Sequence, residues 1–294
     1  MNDLLGIADL DRATLERLVE SSTRFRRSRD YGKGALAGGR IGLFFEKPST
    51  RTRVSSEVAA VELGAYPVVL GQTEVGLGSR ESVADVARVL DRYLDLIAMR
   101  VFDHRNLAEM AEYAQAPIVN LLSDLEHPCQ AVADLLTISE HKPVADSVVT
   151  YVGDGNNVCH SLMMGVAKLG GEMRVICPPG YEPNQDLLAQ VVGQVTVFSD
   201  PMAVDGSDVI YTDVWASMGQ EAEARQRQEA FGDYQVDADM LGRARTDAIF
   251  LHCLPAHRGE EVTDEVVDHP RSRVFDQAEN RLHSMKAILL DLLG

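Results

Sequence analysis

The chain has 294 residues, 45% of them hydrophobic and 25% charged, enough for two globular domains that each bury a core. Its 45 acidic residues against 28 basic ones give a formal charge of −17, which argues against nucleic acid and anionic membranes as partners. No apolar run has the length of a membrane span, and residues 1–10 lack a basic stretch followed by a long apolar one, so a cytoplasmic protein without a signal peptide is expected. Cysteines at 129, 159, 177 and 253 form no CxxC pair and no His/Cys metal spacing, so reduced thiols and no metal are expected. Lysine is scarce, at 33, 47, 142, 168 and 286 only, a bias that salt adaptation or GC-rich coding would each produce.

A helix over residues 11–27 comes first. Strand-length apolar runs then alternate with helical patterns to the end of the chain. The expected strands are 41–45, 68–70, 94–99, 118–120, 148–152, 173–177, 195–198, 209–212 and 248–253. The expected helices are 51–63, 82–91, 105–115, 130–141, 157–169 and 186–192, with a terminal helix over 278–293 carrying Leu282, Met285, Ile288, Leu289 and Leu292. Such alternation implies α/β architecture with parallel sheets and helices on both faces. The length suits two doubly wound domains, linked by helices, with the ligand site in the cleft where strand ends collect. The expected division is 1–128 plus a C-terminal helix 278–294 that packs back on it, against 129–277.

The residues just past each strand carry the chemistry. After the first come Ser49-Thr50-Arg51-Thr52-Arg53, hydroxyls and two guanidiniums at the start of a helix, where free N–H groups and a partial positive charge suit a phosphate. A capped helix start with two solvated arginines fits the same spacing. Arg100 ends the third strand, and His127-Pro128-Cys129-Gln130 comes after the fourth. Two arginines, an imidazole and a carboxamide suit a ligand with one strongly anionic end and one carbonyl. A histidine cap before a proline at the first helical position is the plainer use of His127. Gly153-Asp154-Gly155-Asn156-Asn157 lacks the third glycine of a dinucleotide loop, since residue 158 is Val, and Asp154 stands too early to bind a ribose. It still puts Asn157 at a helix start. Asp213 could hold an ammonium or cap a turn. Cys253 ends an apolar run and would by default be a small core residue. Leu254-Pro255 after it invites a tight turn with a cis peptide.

Taken together these segments resemble the aspartate/ornithine carbamoyltransferase family, in its ornithine branch, from about Gly42 to Leu290. Phe45-Glu46-Lys47-Pro48-Ser49-Thr50-Arg51-Thr52-Arg53 is similar to the family's carbamoyl-phosphate loop, and His127-Pro128-Cys129-Gln130 to its second signature. Asp213-Val214-Trp215-Ala216-Ser217-Met218-Gly219-Gln220-Glu221 resembles the ornithine loop, His252-Cys253-Leu254-Pro255 the ornithine-type turn, and Ala278-Glu279-Asn280-Arg281 the C-terminal motif. The resemblance implies that Ser49, Thr50, Arg51, Thr52 and Arg100 bind phosphate. It implies that His127, Gln130, Cys253, Leu254 and Arg281 surround the carbamoyl group, and that Asn157, Asp213, Ser217 and Met218 bind ornithine. Arg51, Arg100, His127, Gln130, Cys253 and Arg281 are then the catalytic set. It further implies transfer of the carbamoyl group of carbamoyl phosphate to the δ-amine of L-ornithine, giving citrulline in arginine biosynthesis or catabolism. No metal or organic cofactor is implied, and the assembly expected is a homotrimer or a multiple of trimers. Two departures stand out: Gly76 where the family often has a Gln, and Ser56 where it has a Phe. The competing readings are a sister transferase acting on acetylornithine or putrescine, and a non-catalytic binding module on the same fold.

Overall fold

A computed structural model describes residues 1–216 and 223–294. They form two compact units, Met1–Leu136 with Glu279–Gly294, and Thr137–Ala278. The first holds a sheet of β1 (Arg40–Phe45), β2 (Tyr66–Gly71), β3 (Leu96–Arg100) and β4 (Ile118–Leu122), in the order β2-β1-β3-β4 and parallel throughout. Around it lie α1 (Arg12–Arg27), α2 (Arg51–Glu62), α3 (Gln72–Val75), α4 (Val83–Leu90), α5 (Arg105–Tyr113) and the start of α6 (Pro128–Ser139). The second unit holds β5 (Val148–Val152), β6 (Glu172–Ile176), β7 (Val195–Phe198), β8 (Val209–Thr212) and β9 (Ile249–His252), also parallel, in the order β7-β6-β5-β8-β9. Its helices are α7 (Asn157–Lys168), α8 (Gln185–Leu188), α9 (Ala224–Phe231), α10 (Ala238–Arg243) and α11 (Asp264–Val267), and α12 (Val274–Leu293) closes the chain.

The strands read as continuous apolar runs because helices cover a parallel sheet on both faces. β3 is buried at every position, and Phe44, Ile97, Met99 and Ile118 pack with Val86 of α4 and Leu107 of α5. In the second unit Ile176, Ile210 and Phe250 pack with Trp215, Phe231 and Val266. α1 starts where the Asp11 carboxylate accepts the Thr14 N–H at 2.7 Å, and buries Leu15, Leu18, Val19 and Phe25 along one face.

All nine expected strands are present, three with the expected bounds (148–152, 195–198 and 209–212) and six with shifted ends. The expected strand 94–99 starts only at Leu96, because the Asp95 carboxylate accepts the Arg40 N–H and guanidinium at 2.8–3.0 Å and ends the turn there. α6 begins at Pro128, two residues early, since proline costs nothing at a first helical position. α12 starts at Val274 rather than 278. The helix expected over 186–192 is a single turn, α8, followed by a 3₁₀ turn Ala189–Val191. α3, α9, α10 and α11 were not expected: at four to eight residues they are too short to show a period.

Gly155 shows why the glycines of the loop after β5 serve backbone geometry. A Cβ there would lie 2.3 Å from the Pro183 nitrogen and 2.6 Å from the Glu182 carbonyl carbon, both main chain. Gly153 sits at φ +139°, open to glycine almost alone. Gly155→Ala is therefore expected to destabilise the second unit by about 3 kcal/mol or more. A thermal melt within a degree of the unsubstituted protein would contradict this.

Candidate active site

In each sheet the strand order reverses once, and there loops leaving adjacent strands diverge. In the first unit this point lies between β1 and β3, which end side by side with Phe45 opposite Arg100. The loop after β1 thus delivers Ser49 to Arg100, whose Nη1 donates to Ser49 Oγ at 3.3 Å. α2 starts immediately afterwards. Thr50, at its N-cap, is in the α region and caps nothing with its hydroxyl, so this is not a side-chain-capped start. The two arginines of the motif part company here. Arg53 is exposed and bonded to Glu57 at 2.6 Å one turn along α2. Arg51 is half-buried at the first helical position.

A buried chain of hydrogen bonds runs behind them. Arg281 Nη2 donates to Thr52 Oγ1 at 3.0 Å and Nη1 to Gln130 Oε1 at 2.5 Å, and Gln130 Nε2 donates to Asp134 Oδ1 at 2.7 Å. Their residues are all under 5% exposed. His127, also buried, is held well below its ordinary pKa, first by burial and then by the positive charges of Arg281 and Arg100. A neutral imidazole can still donate one N–H to a carbonyl oxygen. Cys129, in the same motif, is structural: its Sγ donates to the Asn120 carbonyl at 3.3 Å, and burial pushes the thiol up to about 12.

In the second unit the reversal lies between β5 and β8. Thr212 pairs with Val152 on one side and His252 on the other, so the residues just past these three ends become neighbours. Cys253 Sγ donates to Asp213 Oδ1 at 2.9 Å, and Asn156 Nδ2 donates to Asp213 Oδ2 at 2.9 Å. Asn156 Oδ1 meanwhile caps α7, accepting Val158 N and Cys159 N at 3.0 and 3.1 Å. The turn after β9 is pinned by His252. Its Nδ1 accepts the Leu254 N–H at 2.8 Å and its Nε2 lies 3.1 Å from Glu261 Oε1. The Leu254–Pro255 peptide is cis, and Leu254 has φ +58°, the only non-glycine positive φ among the described residues. Asp213, His252 and Cys253 each bring a metal-ligating atom within 4.8 Å of the others, and all three are engaged in these protein hydrogen bonds.

The first unit therefore presents a cationic, hydroxyl-rich cluster and the second a carboxylate–thiol–carboxamide cluster, each at the strand ends where α/β sheets bind ligands. Residues 2–140 match the carbamoyl-P binding domain of the aspartate/ornithine carbamoyltransferases, and residues 145–292 match the Asp/Orn binding domain. The chain belongs to the aspartate/ornithine carbamoyltransferase family. It is 50% identical over 303 residues to the ornithine carbamoyltransferase of Carboxydothermus hydrogenoformans, covering 99% of this chain and 97% of that one. Among solved structures, the ornithine carbamoyltransferase from Pyrococcus furiosus superposes with a TM-score of 0.95 at 47% identity, covering 100% of this chain and 97% of that one. An acetylornithine transcarbamylase complexed with acetylcitrulline superposes at 0.88 with 30% identity, covering 100% of both chains.

Within this carbamoyltransferase fold, Ser49, Thr50, Arg51, Thr52, Arg100, His127, Gln130 and Arg281 lie in the first unit. Asn157, Asp213, Cys253 and Leu254 lie in the second, and Ser217 and Met218 fall outside the described residues. The strand expected over 248–253 ends at His252, so Cys253 lies just beyond it, only partly buried, and the default core use does not apply to it. Sequence reasoning also passed over Asn156 and Asp134. Asn156 is the helix cap, so Asn157 beside it is the first residue of α7. Asp134 stands four residues after Gln130, the spacing that puts two side chains on one helix face, and that was the available signal. The Gly76 departure has a local reason: it closes α3 in the left-handed region at φ +66°, and a Cβ there would meet the Arg80 Cβ at 2.6 Å. Ser56 is fully buried, and its hydroxyl has no hydrogen-bond partner among the described residues.

His127 also makes the first unit sensitive to pH. Folded, it binds a proton only well below pH 6.5; unfolded, it does so near 6.5. The unfolded chain thus holds more protons below that value, so His127's contribution is whole above about pH 6.5 and is lost as the pH falls toward the folded value. His104, His141 and His283, all lowered first by burial, act in the same direction. Melting temperature is expected to fall between pH 7 and 5, and less steeply in His127→Gln. An identical slope in the variant would rule His127 out as a contributor.

Proposed function

We propose that the protein transfers the carbamoyl group of carbamoyl phosphate to the δ-amine of L-ornithine, giving L-citrulline and phosphate. The carrying observation is the opposite character of the two strand-end clusters: arginines and hydroxyls in one unit, Asp213 with Cys253 in the other. One suits a dianionic donor, the other an acceptor bearing an ammonium. The names of relatives near 50% identity support the same reading.

In this reading the first unit, Met1–Leu136 with Glu279–Gly294, holds carbamoyl phosphate, and the second, Thr137–Ala278, holds ornithine, so the division falls about eight residues later than the expected 128/129 and Gln130 belongs with the donor. Ser49, Thr50, Arg51, Thr52 and Arg100 grip the phosphate. His127, Gln130 and Arg281 serve the carbamoyl group, and Cys253 and Leu254 are assigned to it as well. Asn157, Asp213, Ser217 and Met218 take the amino-acid end of ornithine. The neutral δ-amine attacks the carbamoyl carbon, a tetrahedral oxyanion forms, the C–O bond to phosphate breaks, and the amine proton ends on phosphate. Arginine charge and the neutral His127 N–H stabilise the developing oxyanion, and holding two substrates together supplies the rest. Cys253 orients the amine and is not a covalent nucleophile.

Arginine biosynthesis is the favoured setting, since a relative 48% identical is named as the anabolic enzyme. A cytoplasmic location fits: among the described residues no helix is long and apolar enough to cross a membrane. The assembly proposed is a homotrimer or a multiple of trimers. A colorimetric ureido-product assay with carbamoyl phosphate and ornithine, acetylornithine or putrescine tests the reading. Product is expected with ornithine. Product with another amine alone would make it a sister enzyme, and none with any would make it a binding module.

A further inference from the structure

We propose that Asp134, a positioning residue four places along α6 from Gln130, fixes which end of the Gln130 carboxamide faces the donor. It thereby makes the site select an anhydride that carries an amino group over one that carries a methyl group. The inference rests on the carbamoyl-phosphate reading of the first unit.

A glutamine amide has two ends of nearly equal shape and opposite hydrogen-bonding character, and left unanchored it offers either. Two partners with no such ambiguity hold Gln130. Arg281 can only donate, and it faces Oε1 at 2.5 Å. The Asp134 carboxylate accepts, and it faces Nε2 at 2.7 Å. Both demand the same orientation, with the NH₂ end turned to Asp134 and the carbonyl end to Arg281. Arg281 reaches Gln130 on a long, multi-bond side chain and is shared with Thr52. Asp134 is on Gln130's own helix face, with a short side chain, and is the stiffer of the two anchors. Gln130 is 1% exposed and Asp134 fully buried, so bulk water does not substitute for either bond.

A carbonyl oxygen has two lone pairs. Arg281 takes one, and the other accepts from a ligand N–H. The amino group of carbamoyl phosphate can donate there. The methyl group of acetyl phosphate, of nearly the same size, cannot, and it leaves a buried acceptor unpaired. A site built around a hydrogen bond rejects the analogue that lacks it far better than a merely apolar one does. With the amide free to turn, its NH₂ end would face the donor in part of the population and the discrimination would shrink.

The experiment measures affinities of carbamoyl phosphate, acetyl phosphate and inorganic phosphate, as kinetic or inhibition constants, for the intact protein and two variants. Asp134→Leu keeps the branched shape and removes the acceptor. Asp134→Asn keeps an oxygen that can accept from Gln130 Nε2. The unsubstituted protein is expected to favour carbamoyl over acetyl phosphate at least about tenfold. In Asp134→Leu that ratio is expected to fall to about threefold or less while inorganic phosphate, which meets only the anion end, stays within about twofold. Asp134→Asn is expected to restore most of the ratio. If Asp134→Leu does not fold, Asp134→Ser, whose hydroxyl is too short to reach the amide, takes its place. An unchanged ratio, or equal weakening of all three ligands, would overturn the role of Asp134. Failure of the unsubstituted protein to bind carbamoyl phosphate would overturn the donor assignment itself, and this inference with it.

Discussion

Arg51→Ala is expected to lower kcat/KM for carbamoyl phosphate by about a thousandfold while the melting temperature stays unchanged. The neighbouring Arg53→Ala is expected to change the same constant by no more than about twofold. The two residues are alike in the sequence and differ in what the fold does with them. Arg53 is exposed and paired with Glu57, an exposed (i, i+4) bond of the kind that contributes little. Arg51 stands at the first position of α2, where the helix N-terminus and Arg100 with Ser49 gather donors for an anion. The loss should appear mainly with the donor substrate, because Arg51 lies in the first unit and the residues proposed for the acceptor lie in the second. Steady-state kinetics on both variants decides it. Near-normal turnover in Arg51→Ala, or equal losses in both, would defeat the assignment.

Asp213→Asn is expected to lower kcat/KM for ornithine by about a hundredfold, with the constant for carbamoyl phosphate nearly unchanged. The substitution keeps shape and removes both the charge and one acceptor. In the native cluster Asp213 accepts on both oxygens, from Cys253 and from Asn156. An asparagine amide must turn its NH₂ toward one of them: toward Asn156 it sets donor against donor, and toward Cys253 it leaves only a sulfur that accepts weakly. The ammonium of the acceptor substrate also loses its counter-charge. Asn156 has a second duty as cap of α7, so the damage extends to the start of that helix. Equal effects on the two substrates would show that Asp213 shapes the whole unit and does not serve the acceptor.

Much of this protein is legible in its sequence because parallel strands covered on both faces must be apolar throughout. Runs such as Ile41–Phe45 and Val148–Val152 therefore stand out without any partner in view. The polar residues just past them, Ser49 to Thr52, His127 to Gln130, Asp213 and Cys253, stand out for the same reason: chemistry sits where the apolar run stops. The short helices did not show, because four to eight residues hold too few turns to set a period.

The sequence by itself determined the alternation of elements, the strand ends at which to look, and the residue types standing there. Strand order was decided only in the tertiary structure, since pairing depends on contacts far apart along the chain. That order puts β3 beside β1, and β8 beside β5 and β9, and so delivers Arg100 to Ser49 and Cys253 to Asp213. Local geometry parts Arg51 from Arg53, since two helix positions lie about 200° apart; long-range packing does what spacing along the chain cannot. It also brings Arg281, 151 positions away, onto Gln130, and leaves Asp134 to hold the other end of the amide. Local chemistry names candidate groups; directional hydrogen bonds between distant segments fix which atom of each group a ligand meets.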